Sequence, residues 1–307
     1  MIKGVLLDLS GVLYVGKEPL GGAREAMRRL KASGLPTRFV TNTTRSPRRA
    51  ILAKLASLQL SISDAALFTA PQAALAYLEQ QDLHPYLLIH PDLEGEFPQY
   101  PHHAWDAVLV GDAGQEFTYR TLNIAFRLVL DGAPLLAMGD NRYFKEPEGF
   151  SLDIGPFVAA LEYAADTQAK VLGKPAPEFF EAAIAALGCE PGQVVMVGDD
   201  AAADVGGAIG AGLQGILVRT GKYLPGDEDK IDQARGVSVD DIAAAVDWIL
   251  AHRGCASSLP CVAKDFAALN PRRPGSAGQS SGSKAAVHSG VGEDYRPCGA
   301  QPGSNPC

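Results

Sequence analysis

Short apolar runs alternate with helical patterns along most of the chain, and this alternation limits the fold more than any other feature. Val5 to Leu9 is apolar except for Asp8, Ala23 to Lys31 has a helical spacing that stops near Gly34, and Arg38 to Val40 reads as a strand. Ser46 and Pro47 then read as the N-cap and first position of a second helix. A βαβα opening of this kind predicts a parallel sheet. The same alternation returns late in the chain. A helix is expected over 178–187, the run "VVMVG" at Val194 to Gly198 is a strand, and a small-residue helix follows through Ala211. "GILV" from Gly215 is another strand, and a last helix is expected over 240–250.

The middle of the chain has an alternation of its own. Helices are expected over 73–80, 119–130 and 156–165, and strands over 86–89, 107–110 and 135–138. Residues 71–172 are therefore read as a separate α/β unit inserted into a first domain made of 1–70 and 173–252. Residues 253–307 turn to Gly, Ser, Pro and Ala without periodicity, as in "NPRRPGSAGQSSGSK". They predict a disordered tail.

Composition removes several classes of function. A chain of 307 residues with 47% hydrophobic content can build a large buried core. Its net charge of -8 argues against a nucleic-acid surface, which normally shows a basic stripe. No run approaches the roughly 20 apolar residues of a membrane span, and Met1 leads directly into a strand, so a cytoplasmic protein without membrane partners is expected. Of five cysteines, Cys189 alone lies in the patterned region. That is neither a disulfide framework nor the spacing of a structural zinc site.

Polar residues gather at the ends of the strands, where ligands sit in open parallel sheets. Those ends are Asp8, Thr41 with Asn42, and Asp199 with Asp200. "GKP" at Gly173 to Pro175 adds Lys174 just before a helix, whose free N–H groups favour an anion. Two acids, a lysine, a hydroxyl and a helix end suggest a phosphate bound with a metal. Mg²⁺ is the expected ion, since it takes oxygen ligands through one or two carboxylates plus substrate phosphate, and Asp8 and Asp199 can supply the carboxylates.

"DLSGVL", "TNT", "GKP" and "GDDAAAD" resemble, in order, the four motifs of the haloacid dehalogenase-like phosphatases. The resemblance implies a Rossmann-like parallel-sheet core with an inserted α/β cap domain. "PYLLIH", "FKEPEGFSLDIGP", "LGKPAPEFF" and "VRTGKY" are similar to family members that act on phosphohistidine, phospholysine and inorganic pyrophosphate. A small phosphorylated substrate or a phosphorylated protein side chain is thus implied, together with a homodimer paired through the cap. Asp8 would be the nucleophile that forms an aspartyl-phosphate. Thr41 and Asn42 would hold phosphoryl oxygens, and Lys174 would neutralise charge in the transfer. Asp8, Asp199 and the backbone carbonyl of Ser10 would hold the metal. Asp200 and Asp204 stand close behind, with the supporting role open between them.

Position 10 is where the pattern departs, because the family usually has a second Asp there. A backbone ligand is indifferent to its side chain, so Ser10 leaves the metal site intact but removes the usual acid/base carboxylate. General acid-base help is worth roughly 10² to 10⁴ in rate. An alkyl phosphate would feel that loss most, whereas a phosphorus–nitrogen bond can leave as an amine already protonated by solvent. A general small-molecule phosphomonoesterase and a weakly catalytic phosphate- or partner-binding module stay open as alternatives. The loop Gly139 to Phe150 is a candidate leaving-group contact through Arg142 and Lys145, with a plain solvated loop as the competing view. Gly206 to Gly212 lacks the order of a dinucleotide-binding turn, and His102 with His103 lacks the company of a metal site.

Overall fold

β1 (Gly4–Asp8) is buried at every position because it lies inside a parallel sheet covered on both faces. The computed structural model describes residues 1–146 and 149–254. After β1 come the hairpin β2 (Tyr14–Val15) and β3 (Glu18–Pro19), helix α1 (Ala23–Ala32), β4 (Thr37–Thr41), α2 (Arg48–Ser57), β5 (Leu67–Thr69) and α3 (Ala70–Gln81). The middle supplies β6 (Pro85–Leu88), β7 (Ala107–Val110), α4 (Tyr119–Leu130) and β8 (Leu135–Ala137). It continues with the hairpin β9 (Tyr143–Glu146) and β10 (Gly149–Leu152), then α5 (Ile154–Ala165) and β11 (Lys170–Val171). Last come α6 (Pro177–Ala185), β12 (Val194–Gly198), a π-helical turn Ala201–Gly206 running into α7 (Gly207–Gly210), β13 (Gln214–Val218), β14 (Gly236–Val239) and α8 (Ile242–His252).

Six strands form one parallel sheet in the order β14-β13-β12-β1-β4-β5. Successive side chains of a strand point to opposite faces. Val5 and Leu7 accordingly join Leu30 of α1, Leu55 of α2 and Val246 of α8 on one side. Leu6 joins Phe179 and Phe180 of α6 and Ala208 of α7 on the other. β1 has neighbours reached from opposite directions, so the crevice at its carboxyl end is the switch point where such sheets take ligands.

β11-β8-β7-β6 form a second parallel sheet. α4 and α5 cover one face through Ala125, Val129, Val158 and Leu161. α3 covers the other through Ala70, Ala74 and Leu78, and lends Ala73 to the core under the first sheet. Both α3 and α4 start on capping boxes, Thr69 with Gln72 and Thr118 with Thr121, which satisfy N–H groups that the first turn leaves open.

The α/β class with parallel sheets is as expected, and several boundaries move. Pro47 is the N-cap of α2 and not its first residue, because its ψ of 153° is extended. α3 starts at Ala70, earlier than the periodicity suggested, because Thr69 caps it. The polar stretch after Gly139, read as a loop, contains the hairpin β9-β10. β14 is an edge strand whose positions are all half-buried, so it carries no apolar signature. Arg253 pairs with Ile2 and the Gly254 N–H donates to the Ile2 carbonyl, so the folded part runs slightly past the expected start of the tail. The expectation of disorder over 255–307 lies outside the described residues. Among the described residues no helix is long and apolar enough to cross a membrane.

Candidate active site

Asp8 ends β1 and is only 6% exposed. Lys174 comes from the other sheet: the chain leaves β11 at Val171 and brings the lysine, also buried, to the end of β1. Its ammonium donates to Asp8 Oδ1 at 2.5 Å and to Asp204 Oδ1 at 2.5 Å. Asn42, just past β4, holds the lysine in place from behind. Its Oδ1 accepts the Lys174 N–H at 2.8 Å and its Nδ2 donates to the Lys174 carbonyl at 2.8 Å. Thr41 Oγ1 lies 2.9 Å from Thr43 Oγ1 and accepts the Thr43 N–H.

Asp199 follows β12 directly, and its Oδ2 accepts the N–H of Lys222 at 2.7 Å. Gly11 and Gly221, at φ of +86° and +61°, pass so close that a Cβ on either would collide with that oxygen. Thr220 Oγ1 donates to the Gly11 carbonyl at 2.5 Å. The "RTGK" loop after β13 therefore binds the loop after β1 and fixes the Asp199 carboxylate between them.

One carboxylate oxygen each from Asp8, Asp199 and Asp204 lie within 4.8 Å of one another, and all three residues are buried. Burial pushes Asp8 up to about 7, with Asp204 and Asp199 adding to the rise and Lys174 opposing it. Asp199 rises to about 6, through burial and then Asp204. Burial works against the Lys174 charge, but Asp204 and Asp8 outweigh it and hold the ammonium above its ordinary range. Three carboxylates thus face one ammonium, and a donor set made of oxygens with two charges unbalanced suits a hard divalent cation.

Of the two acids left open by the sequence, Asp204 is the one at the centre. Asp200 stays at the cleft wall, where its Oδ1 accepts the N–H groups of Ala202 and Ala203. Ser10 is exposed and lines the cleft.

That cleft has a volume of about 310 Å³. Sequence reasoning missed part of its wall: Arg45, Asp112, Asn141, Asp153 and Lys222. Asp112 could have been found, because "VLVGDAG" puts an acid just past the end of β7 as Asp8 and Asp199 stand at theirs. Asn141, Asp153 and Lys222 lie in the 139–150 loop and in the segments "FKEPEGFSLDIGP" and "VRTGKY" already noted, though not as site residues, and Arg45 sits in a loop with no pattern to mark it. Asp112 Oδ2 is 2.5 Å from Arg45 Nε, and its N–H donates to Thr44 Oγ1. Burial pushes Asp153 up, against the pull of the Ile154 N–H. The loop after Gly139 faces the cleft through Asn141, whereas Arg142 is exposed and outside the lining. The Lys145 side chain lies outside the described residues. His102 stacks on Trp105 at 4.5 Å, and Gly207 packs against Phe180 and Pro175.

A family model described as haloacid dehalogenase-like hydrolase matches residues 5–100, and a second, HAD-hydrolase-like, matches 171–245. Haloacid dehalogenase-like hydrolase domain-containing protein 2 of Bos taurus is 47% identical over 255 residues, covering 82% of this chain and 97% of its own. The chain belongs to the haloacid dehalogenase-like hydrolases. Within that family it is also similar to the phospholysine phosphohistidine inorganic pyrophosphate phosphatase of Danio rerio, 43% identical over 258 residues with 82% and 96% covered. The solved 4-nitrophenylphosphatase of Thermotoga maritima shares the fold at a TM-score of 0.74 and 24% identity, covering 80% of this chain and 97% of its own. The expected family, and with it a hydrolase, is therefore established.

Proposed function

We propose that this hydrolase is a Mg²⁺-dependent phosphatase that works through an aspartyl-phosphate on Asp8. The observation that carries it is the buried contact of Asp8 with Lys174, set beside Asp199 and Asp204 at the switch point of the sheet. Asp8, Asp199 and Asp204, with the Ser10 carbonyl, would hold Mg²⁺, which when bound supplies positive charge against the phosphoryl oxygens. An Asp8 carboxylate oxygen attacks phosphorus, the bond to the leaving group breaks, and the electron pair departs with that group. Lys174 offsets charge on the transferred phosphoryl, and Asp204 and Asn42 keep its ammonium and backbone aimed there. Thr41 Oγ1 and the Asn42 backbone N–H would meet the phosphoryl oxygens, since the Asn42 amide is committed to the Lys174 backbone. Water then attacks phosphorus, the Asp8–phosphorus bond breaks, and phosphate leaves.

The substrate class proposed is phosphohistidine, phospholysine or inorganic pyrophosphate. It is supported by the name of the zebrafish relative and by Ser10, which supplies no carboxylate to protonate an alkoxide. The segment 71–172 acts as a cap that excludes water, and the enzyme works in the cytoplasm as a homodimer paired through it. A phosphate-binding module without turnover is the second reading, favoured by Ser10 alone. Phosphate release with excess Mg²⁺, over a panel of phosphohistidine, phospholysine, pyrophosphate and sugar phosphates, separates the two. Asp8→Asn keeps the shape but cannot form the acyl-phosphate, so turnover should fall below about 1% of wild type. Higher retained activity in a clean sample refutes the nucleophile.

A further inference from the structure

Beyond the reaction centre, the cleft wall carries a second group of charged residues: Arg45, Asp112, Asp153, Asp200 and Lys222. Most of these charges are matched. Arg45 Nε lies 2.5 Å from Asp112 Oδ2, and Asp112 Oδ1 accepts the Gly114 N–H. Lys222 Nζ is 3.7 Å from Asp200 Oδ2, and its side chain is 67% exposed. Asp200 Oδ1 is taken by the Ala202 and Ala203 N–H groups.

Asp153 is different. Its Oδ1 accepts the Ile154 N–H at 2.8 Å, capping α5. Among the described residues its Oδ2 makes no direct hydrogen bond or ion pair, although Lys222 and Arg45 stand near enough to favour its charge and Asp112 near enough to oppose it. The carboxylate is held from behind, since the Asp153 N–H donates to the Arg142 carbonyl and the Gly155 N–H to the Asn141 carbonyl. It is thus a half-buried, positioned acceptor on the wall of the cleft.

In-line transfer puts the leaving group on the side of phosphorus opposite the attacking Asp8 oxygen. The leaving group then occupies the cleft beyond phosphorus, and the same cleft is lined by Asp112, Asn141 and Asp153 from the second sheet and its loops. A leaving phosphate would bring net negative charge toward the Asp153 carboxylate. A protonated amine or imidazole would bring the N–H that Asp153 lacks.

We infer that Asp153 is a specificity-determining residue whose Oδ2 accepts an N–H of the leaving group, so that the cleft favours N-phosphorylated amines and imidazoles over pyrophosphate. This rests on the phosphatase function proposed above and selects among its substrates. The chemistry balances. Asp8 attacks phosphorus, the P–N bond breaks, and its electron pair stays on a nitrogen or ring already protonated, which departs as a neutral amine or imidazole. No proton has to be delivered, in keeping with a serine at position 10.

The test compares kcat/KM for phosphohistidine and for pyrophosphate, with Mg²⁺ present, in wild type and in Asp153→Asn. Asparagine keeps an Oδ1 for the Ile154 N–H, so the helix cap survives; Asp153→Ser is a second variant that also caps. The wild type should prefer phosphohistidine, and the ratio of the two values should fall at least tenfold in a folded variant, mainly through KM for phosphohistidine. A ratio that moves less than threefold in both folded variants overturns the inference, as does a wild type that prefers pyrophosphate. A shared folding or positioning loss lowers both rates and leaves the ratio in place. p-Nitrophenyl phosphate separates the two levels of failure. Turnover of it with an unmoved ratio removes the role of Asp153 alone, whereas a wild type that hydrolyses none of the three substrates removes the phosphatase assignment as well.

Discussion

Stripped of divalent metal, this protein should lose stability as pH rises from 5 to 8. Asp8 and Asp199 are raised in the folded state from the ordinary 3.8 to about 7 and about 6, burial being the first cause of each. A carboxyl whose folded value is raised binds its proton more tightly folded than unfolded, so its contribution is present at low pH and lost as pH climbs through the folded value. For Asp8, the interval from pH 5 to about 7 at 1.4 kcal/mol per pH unit amounts to about 3 kcal/mol. Asp199 adds about 1 kcal/mol over its shorter interval. In a folded unit of this size each kcal/mol moves Tm by about 2–4 °C, so the metal-free protein should melt about 8–16 °C lower at pH 8 than at pH 5. Saturating Mg²⁺ should flatten the profile, because a bound cation favours the ionised carboxylates and binds the folded state alone. Asp8→Asn removes the larger contribution, and the same scan should then show a fall of about 2–4 °C. Calorimetric melts in a chelating buffer across this range, with and without Mg²⁺, make the measurement. A metal-free wild type whose Tm is flat or rises with pH refutes the reasoning, as does an Asp8→Asn slope equal to that of the wild type, which would place the titration elsewhere.

Gly221→Ala should lower Tm by at least about 4 °C, since a left-handed φ costs about 1–2 kcal/mol without glycine and the new Cβ meets Asp199 Oδ2. Mg²⁺ affinity by titration calorimetry should weaken with it, and an unchanged Tm and affinity would show that the loop does not fix Asp199. Ser10→Asp should raise kcat/KM for an alkyl phosphate relative to a phosphoamidate, because the alkoxide alone needs a proton in the transition state. Both rates can fall from like-charge repulsion beside Asp8, which the ratio cancels. A ratio that stays flat, or moves toward the phosphoamidate, removes this account of Ser10.

The sequence by itself determined the α/β class, most strand and helix positions, and Asp8, Thr41, Asn42, Lys174 and Asp199 as the residues to watch. All of that is local: an apolar run, a period, a polar residue at a strand end. It could not say which of Asp200 and Asp204 matters, because they are four residues apart on one turn. The turn decides which points at Lys174 and which caps the helix. It also gave no reason to expect that Asn42 would clamp Lys174, a contact 132 residues apart along the chain. Arg45, Asp112, Asn141 and Asp153 became one wall only when the second sheet folded its loops over the end of the first. Periodicity records which face of an element is buried. What two loops from different sheets hold between them depends on packing, and no local pattern carries that information.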